Sequence, residues 1–448
     1  MVRDASEASP ESKPPADQGR ATTILFYVAF ATCVVIACFT NDVIFALIRE
    51  HAHRSPDWPT AAARQLPYTE GDRYDQYLLA STKGAAFFAC LILFGWLLRN
   101  SVLQLWPALR QRRLWTDLLV GLLIASILLF ALVPSGMGRI YAYASVEPFL
   151  QHQGFFYRRI LMPVLAHDLH LDGVLYGGFF WMVALSVCAL ASIYLKTRGL
   201  VLSRLELASL YTTGIFASAL GLPGYSEILV LGFTLLAMLD FDRNGRSGIV
   251  QAVCFALALL THESAAVLAF GTLALCWFDR RFLPHFAALL GLYLVIWLAS
   301  WGFDAGHAAA AQLTGGESNL AQFRHTLPLV FFSLIAAYKL TLIAAAPAVA
   351  GSLAERRYRP ALLILLALGG SVALTAIAAD YTRMMAFGSF ALLVALPVAL
   401  NPLSARVRMA LAATNLLIPT VYVSARHGVF AYHGFYGVIV HGLFGIPV

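Results

Sequence analysis

Apolar residues in this chain come in unbroken blocks, and block length is the feature that most constrains the fold. About 20 apolar residues in helical form cross a bilayer, because a helix satisfies every backbone N–H and C=O within one segment. The blocks lie at residues 22–40, 83–98, 116–133, 173–195, 207–222, 226–240, 248–262, 264–278, 283–303, 327–350, 360–379, 384–400 and 409–424. They predict an all-α polytopic membrane protein of about thirteen transmembrane helices. Composition agrees: the 448 residues are 60% hydrophobic and 12% charged, against roughly 25% charged in a soluble domain. One helical bundle over 22–424 therefore replaces the two or three soluble domains that length alone implies. Residues 1–21 are polar and Pro/Ser-rich and read as a disordered cytoplasmic tail. The first block has no clear small-residue cleavage site after it and reads as a retained helix.

The basic residues set the orientation. When the inter-block loops are assigned alternately to two sides, one side collects the N-terminal tail, Arg99 with Arg110, Arg112 and Arg113, then Lys196, Arg198 and Arg204. The same side takes Arg243 and Arg246, Arg280 and Arg281, Arg356, Arg357 and Arg359, and Arg406 and Arg408. Positive charge marks the cytoplasmic face, so the N-terminus is expected in the cytoplasm and the C-terminal segment 425–448 outside. The net charge of +7 is thereby explained by topology, and no aromatic-basic patch invites nucleic acid. The six cysteines (Cys33, Cys38, Cys90, Cys188, Cys254 and Cys276) all fall inside apolar blocks without CxxC or Cys/His spacing, so neither a disulfide framework nor a zinc site is expected.

The long, acidic and histidine-containing segments, 41–82, 134–172 and 304–326, fall on the outer side, with three tight turns. Segment 41–82 reads as amphipathic helices lying on the bilayer surface. It carries Asp42 and the pair Asp72 and Asp75, one helical turn apart, which can act as a base, hold a divalent cation or simply face solvent beside Arg73. The second segment holds Glu147 and the run Tyr157-Arg158-Arg159-Ile160-Leu161-Met162-Pro163. Two arginines between aromatic and apolar residues suit either a lipid-linked phosphate or ordinary headgroups. The turns bring Gly224-Tyr225-Ser226-Glu227, His262-Glu263 and Asp380-Tyr381-Thr382-Arg383. Ionisable groups at membrane depth are expensive and are functional candidates by default. Alternatively, Glu263 or Glu227 pairs with Arg383 or Arg159 to close the bundle. Lys339 sits inside an apolar block, where it meets a phosphate or an acidic partner, and Arg324-His325 adds an outer Arg-His pair repeated at Arg426-His427. No P-loop, HExxH or GxSxG motif is present, and no internal repeat supports a secondary transporter.

Taken together, the Tyr-Arg-Arg-Ile-Leu-Met-Pro stretch at 157–163, the turn at 224–227, the His-Glu turn at 262–263 and the turn at 380–383 resemble the pattern of the GT-C superfamily. These are membrane glycosyltransferases that use polyprenyl-phosphate-linked sugars. The resemblance covers roughly residues 114–400. It implies a GT-C-like bundle with a periplasmic site beneath amphipathic outer-loop helices, and transfer of a hexosyl or pentosyl group to a glycan, lipid or protein acceptor. It further implies an acidic catalytic residue in the first outer loop and no nucleotide cofactor. Here the Tyr-Arg-Arg stretch follows the third helix instead, so the base falls to Asp42, to Asp72 or Asp75, to Glu147 or to Glu263. Tyr157, Arg158, Arg159, Glu227, His262, Arg324, His325, Lys339, Asp380 and Arg383 are the implied substrate-binding set. A polymerase or ligase of lipid-linked glycans and a multi-pass transporter or flippase are the alternative expectations.

Overall fold

The computed structural model describes residues 16–38, 71–129, 136–148, 159–297, 323, 326–376, 378, 380–425, 428–432 and 434–446, without the side chains of 16–18, 37–38, 71–82 and 136–137. Helices dominate. Among the described residues four are long and apolar enough to cross a membrane, with spans at Gly19–Ile36, Lys83–Leu109, Gly173–Thr197 and Leu327–Ala354. Six apolar helices of 10–17 residues accompany them, among them Ile249–Thr261, Phe282–Trp297 and Tyr358–Leu374.

The chain opens with α1 (Ala16–Cys38) and α2 (Gly71–Leu109), which pack on each other. Segment 71–82, expected as a separate surface helix, is instead the start of α2. No proline occurs before Pro107 in the last turn, and 39 residues run on as one element to Leu109. Next come α3 (Arg112–Leu129), α4 (Gly136–Val146), the short α5 (Leu161–Asp168) and the long α6 (Tyr176–Thr197).

The block at 207–222 folds as two pieces, α7 (Arg204–Tyr211) and α8 (Gly214–Gly221). A capping box starts α7: Glu206 N donates to Ser203 Oγ over 3.5 Å, and Ser203 N donates to Glu206 Oε2 over 2.7 Å. Gly214, at φ +53, resumes the helix against Ser389 and Tyr338, where a Cβ would collide. α3 approaches α7 closely because Gly121 has no side chain, and a Cβ there would sit 2.9 Å from Leu207 Cβ.

α9 (Glu227–Asn244) and α10 (Ile249–Thr261) form an antiparallel hairpin that ends α9 at left-handed Gly245. The block at 264–278 then winds as one π turn, Ala266–Gly271, before α11 (Thr272–Cys276) and α12 (Phe282–Trp297). The block at 327–350 is broken at Lys339, between α13 (Leu327–Tyr338) and α14 (Ala345–Ala354). α15 (Tyr358–Leu374), α16 (Tyr381–Ala386), α17 (Ser389–Leu400) and α18 (Ala405–Leu417) follow.

The expected helix at 409–424 stops early. Val421–Ser424 forms β1, antiparallel to β2 (Gly428–Ala431), with Val421 opposite Ala431 and Tyr422 opposite Phe430. β-branched and aromatic residues after Pro419 favour the strand. Helix α19 (Phe435–Phe444) closes the described chain.

The basic loops gather at one end of the bundle. Arg204 binds Asp117 at 2.7 Å, Arg408 lies 3.2 Å from Glu206, and Arg198 pairs with Asp242. Glu227 and Asn244 bound α9 at opposite ends, so the helix separates these arginines from the Glu227 turn by about 25 Å.

Candidate functional site

Four helix ends meet at the far end from the arginine loops: the start of α5, the start of α9, the end of α10 and the start of α16. Each brings one of the polar turns picked out in the sequence, and the turns interlock through charge. Arg159, one residue outside the first turn of α5, grips Glu263 with both arms of its fork: Nη2 donates to Oε1 at 2.8 Å and Nε to Oε2 at 3.1 Å. This bidentate geometry is the strongest form of the Arg–carboxylate pair. The Arg159 side chain is buried, whereas that of Glu263 is 35% exposed.

The second pair is deeper. Arg383 Nε lies 2.9 Å from Glu227 Oε1, with both side chains about one-twentieth exposed. Neither Glu227 oxygen nor Arg383 Nε meets hydrogen-bond geometry, so this is a contact of charges rather than an aligned bond. Arg383 Nη1 donates to Asp380 Oδ2 over 2.8 Å, and Asp380 is 31% exposed. The Arg383 guanidinium also covers the Tyr225 ring at 4.3 Å.

His262 joins the two pairs. Its Nδ1 accepts from the Ser264 amide at 3.1 Å, which places the ring proton on Nε2. Nε2 is 3.7 Å from Glu227 Oε1, and Nδ1 is 3.8 Å from Glu263 Oε2. Burial first, and the Arg159 charge second, push His262 well below the usual imidazole range, so the ring is neutral at pH 7. Burial opposes ionisation of Glu263 too, yet the Arg159 fork outweighs it and holds the carboxyl below the usual carboxylate range. The result is a chain of groups running Arg159, Glu263, His262, Glu227, Arg383, Asp380, buried at its centre and open at its two outer carboxylates.

Local backbone supports the arrangement. Gly224 (φ +106) lets the turn before α9 lie on α4, since a Cβ there would sit 2.5 Å from Gly138 Cα. Tyr176 OH donates to Gly224 O over 3.1 Å. The hairpin ties down the α16 turn, because Val423 N donates to Thr382 Oγ1 over 2.8 Å. Tyr141 packs on Tyr225, at 6.3 Å between ring centres, and its hydroxyl is buried beside the Arg159 charge.

Of the residues singled out in the sequence, Arg159, Glu227, His262, Glu263, Asp380 and Arg383 therefore come together. Glu147 is exposed at the bend after α4 and does not belong to this chain of groups. Lys339 belongs to a different centre: its Nζ donates to Thr212 Oγ1 (3.2 Å) and Tyr436 OH (3.3 Å). Asp42, Tyr157, Arg158, Arg324 and His325 lie outside the described residues, as do the side chains of Asp72 and Asp75 in α2. Tyr141, beside Arg159, and Tyr422, beside Arg383, carry no sequence signal for their place at the site. Tyr225 alone fell within a recognised turn, and only the fold places its ring under Arg383. Among the described residues no group of three or more His, Cys, Asp or Glu is arranged to hold a metal ion. No family model, no curated protein and no solved structure matches the chain.

Proposed function

We propose that the chain is a multi-pass membrane glycosyltransferase of the GT-C kind, which moves a sugar from a polyprenyl-phosphate donor to a glycan, lipid or protein acceptor. In this reading about thirteen spans cross a bacterial inner membrane, the arginine loops face the cytoplasm, and the ion-pair cluster opens to the periplasm. The observation that carries the reading is the convergence of turns scattered between residues 159 and 383 into one cluster. Two arginines there are buried while their outer carboxylates stay accessible.

Each group then has a role. Asp380 spends Oδ2 on Arg383 and is partly exposed, which suits it to take the proton of an acceptor hydroxyl. The acceptor oxygen forms a bond to the anomeric carbon as the bond from that carbon to the phosphate oxygen breaks. The polyprenyl phosphate leaves with the electron pair. Arg159 and Arg383 hold its charge as Glu263 and Asp380 give way, an exchange of one anion for another on a fixed fork. Removing one such donor costs about 10²–10³ in rate, and the base contributes about 10²–10⁴. Glu263, clamped through both oxygens, serves as a gate on Arg159 rather than as a base.

A transporter or flippase is the second reading, favoured by one observation: two discontinuous helices cross beside a buried lysine, Lys339. Reconstitution separates the two. Proteoliposomes given a polyprenyl-phosphate sugar together with an acceptor should release polyprenyl phosphate; Asp380→Asn should abolish that release and Lys339→Ala should keep it. Release unaffected by Asp380→Asn would sink the transferase site. Lipid movement across the bilayer without bond cleavage, lost in Lys339→Ala, would establish the second reading.

A further inference from the structure

An open groove of about 1150 Å³ lies at the opposite end of the bundle from the ion-pair cluster. Arg112, Arg113, Arg204 and Arg408 line it together with Asp117 and Glu206. Four guanidiniums against two carboxylates leave a formal charge of +2. The carboxylates lie deep: Asp117 is 20% exposed and Glu206 8%. Three of the four cations lie outward, Arg112 exposed, Arg113 at 93% and Arg204 at 55%, while Arg408, at 20%, sits beside Glu206. An entering ligand therefore meets positive charge first. α3, α7 and α18 all begin at this groove, adding three positive helix ends to the arginines.

Two further features place the groove at a membrane surface. Arg110 covers exposed Trp106 at 5.3 Å, the amphipathic pairing of a headgroup belt, just before α3 begins, and Arg99 covers exposed Trp96 in the same way about 15 Å further back along α2. Along α3, Leu119, Leu123 and Ile127 are each more than half exposed and follow one another at four-residue spacing. The same spacing carries back to Thr116 and Arg112 within one residue, so a polar mouth passes into an apolar track along one helix face. Val201 and Met409 extend the apolar rim.

We propose that this groove binds the headgroup of an anionic bilayer phospholipid, its phosphate on Arg112 and Arg113 and its acyl chain along Leu119, Leu123 and Ile127. A soluble phosphate compound would use the arginines but gain nothing from the track. The site is separate from the transferase cluster and does not depend on it.

Native mass spectrometry of the full chain, released from detergent with equimolar phosphatidylglycerol and phosphatidylcholine, tests this. Wild type should retain the anionic lipid preferentially, and Arg112→Ala/Arg113→Ala should lose about fivefold for each guanidinium. Both side chains are solvent-facing, so the variant is expected to fold; Arg112→Glu alone, which reverses charge at the mouth, should lose the preference as well. Glycerol 3-phosphate in large excess should leave the adduct in place. Equal retention of the two lipids by wild type, a preference surviving in both variants, or full displacement by glycerol 3-phosphate would each overturn the assignment.

Discussion

Arg383 and Glu227 allow the energetic core of the site to be tested without knowing its substrate. Both side chains are about one-twentieth exposed and lie 2.9 Å apart. Replacing Arg383 by Met keeps the volume and removes the charge, which leaves Glu227 buried against a neutral imidazole. Removing one member of a buried pair costs about 3–5 kcal/mol, chiefly because the remaining charge stays desolvated. Loss of the stack on Tyr225 adds about 1 kcal/mol. Asp380 adds little, since at 31% exposure water replaces its partner. An unfolding entropy of about 2.1 cal/mol/K per residue over 448 residues turns this into a melting drop of about 4–6 °C. The double variant Arg383→Met/Glu227→Gln removes the stranded charge as well and should recover about half of the loss or more. Intrinsic-fluorescence melting in one detergent at one scan rate measures all four corners of the cycle, the fixed rate being needed because unfolding of such proteins is under kinetic control. A single variant that melts with wild type, or a double variant that melts as low as the single one, would show that no buried charge is being compensated at this position.

Two further outcomes follow from particular backbone and side-chain positions. Lys339 holds φ +49 and ψ −135, a conformation that glycine tolerates and other residues occupy at a cost of about 1–3 kcal/mol. Lys339→Gly and Lys339→Ala lose the same bonds to Thr212 and Tyr436, so the glycine variant should be the more stable by about 1–2 kcal/mol; an alanine variant of equal or greater stability would remove the case for strain. Asp168, on the short α5, has its Oδ2 buried without a hydrogen-bond partner, and burial pushes its carboxyl up to about 7. A carboxyl raised in the fold stays protonated there while the unfolded chain has already ionised, so its contribution is complete below about pH 4, falls as pH rises to about 7 and is level above that. Asp168→Asn should flatten the dependence of melting temperature on pH across that window, and an unchanged slope would assign the dependence to other groups.

The length of the apolar blocks was enough to read a helical membrane protein, because hydrophobic thickness acts on each segment separately. The breaks within blocks were not legible. Thr212-Thr213 and Lys339 interrupt apolar runs for reasons held in other segments: Asn415 caps the amide of Leu340 at 2.9 Å from 75 residues away, and Ser389 caps that of Ile215 from 174 residues away. The strand at Val421–Ser424 went unseen in part for the same reason: its partner at 428–431 is local, but its tie to Thr382 is tertiary. The site was half legible. Polar residues in tight turns between apolar blocks stand out locally, and six of them do meet. Which acid takes which arginine depends on how four helix ends dock, and the tyrosines beneath them look like any other membrane aromatic.

Charge balance within the cluster bears on how the proposed donor would enter. Three carboxylates face two guanidiniums, and burial holds His262 neutral, so the cluster carries an excess of one negative charge before any phosphate arrives. A phosphodiester adds another. Burying that excess without compensation would cost several kcal/mol, more than a single Arg fork returns. The donor must therefore displace a carboxylate into water or arrive with a cation. Glu263 and Asp380 are the two acids exposed enough to move, and Glu227 is not. Under the proposed reading the phosphate takes the first route: Glu263 and Asp380 swing out into water as it reaches Arg159 and Arg383, while Glu227 stays buried, which accounts for two arginines buried beside acids of such different exposure.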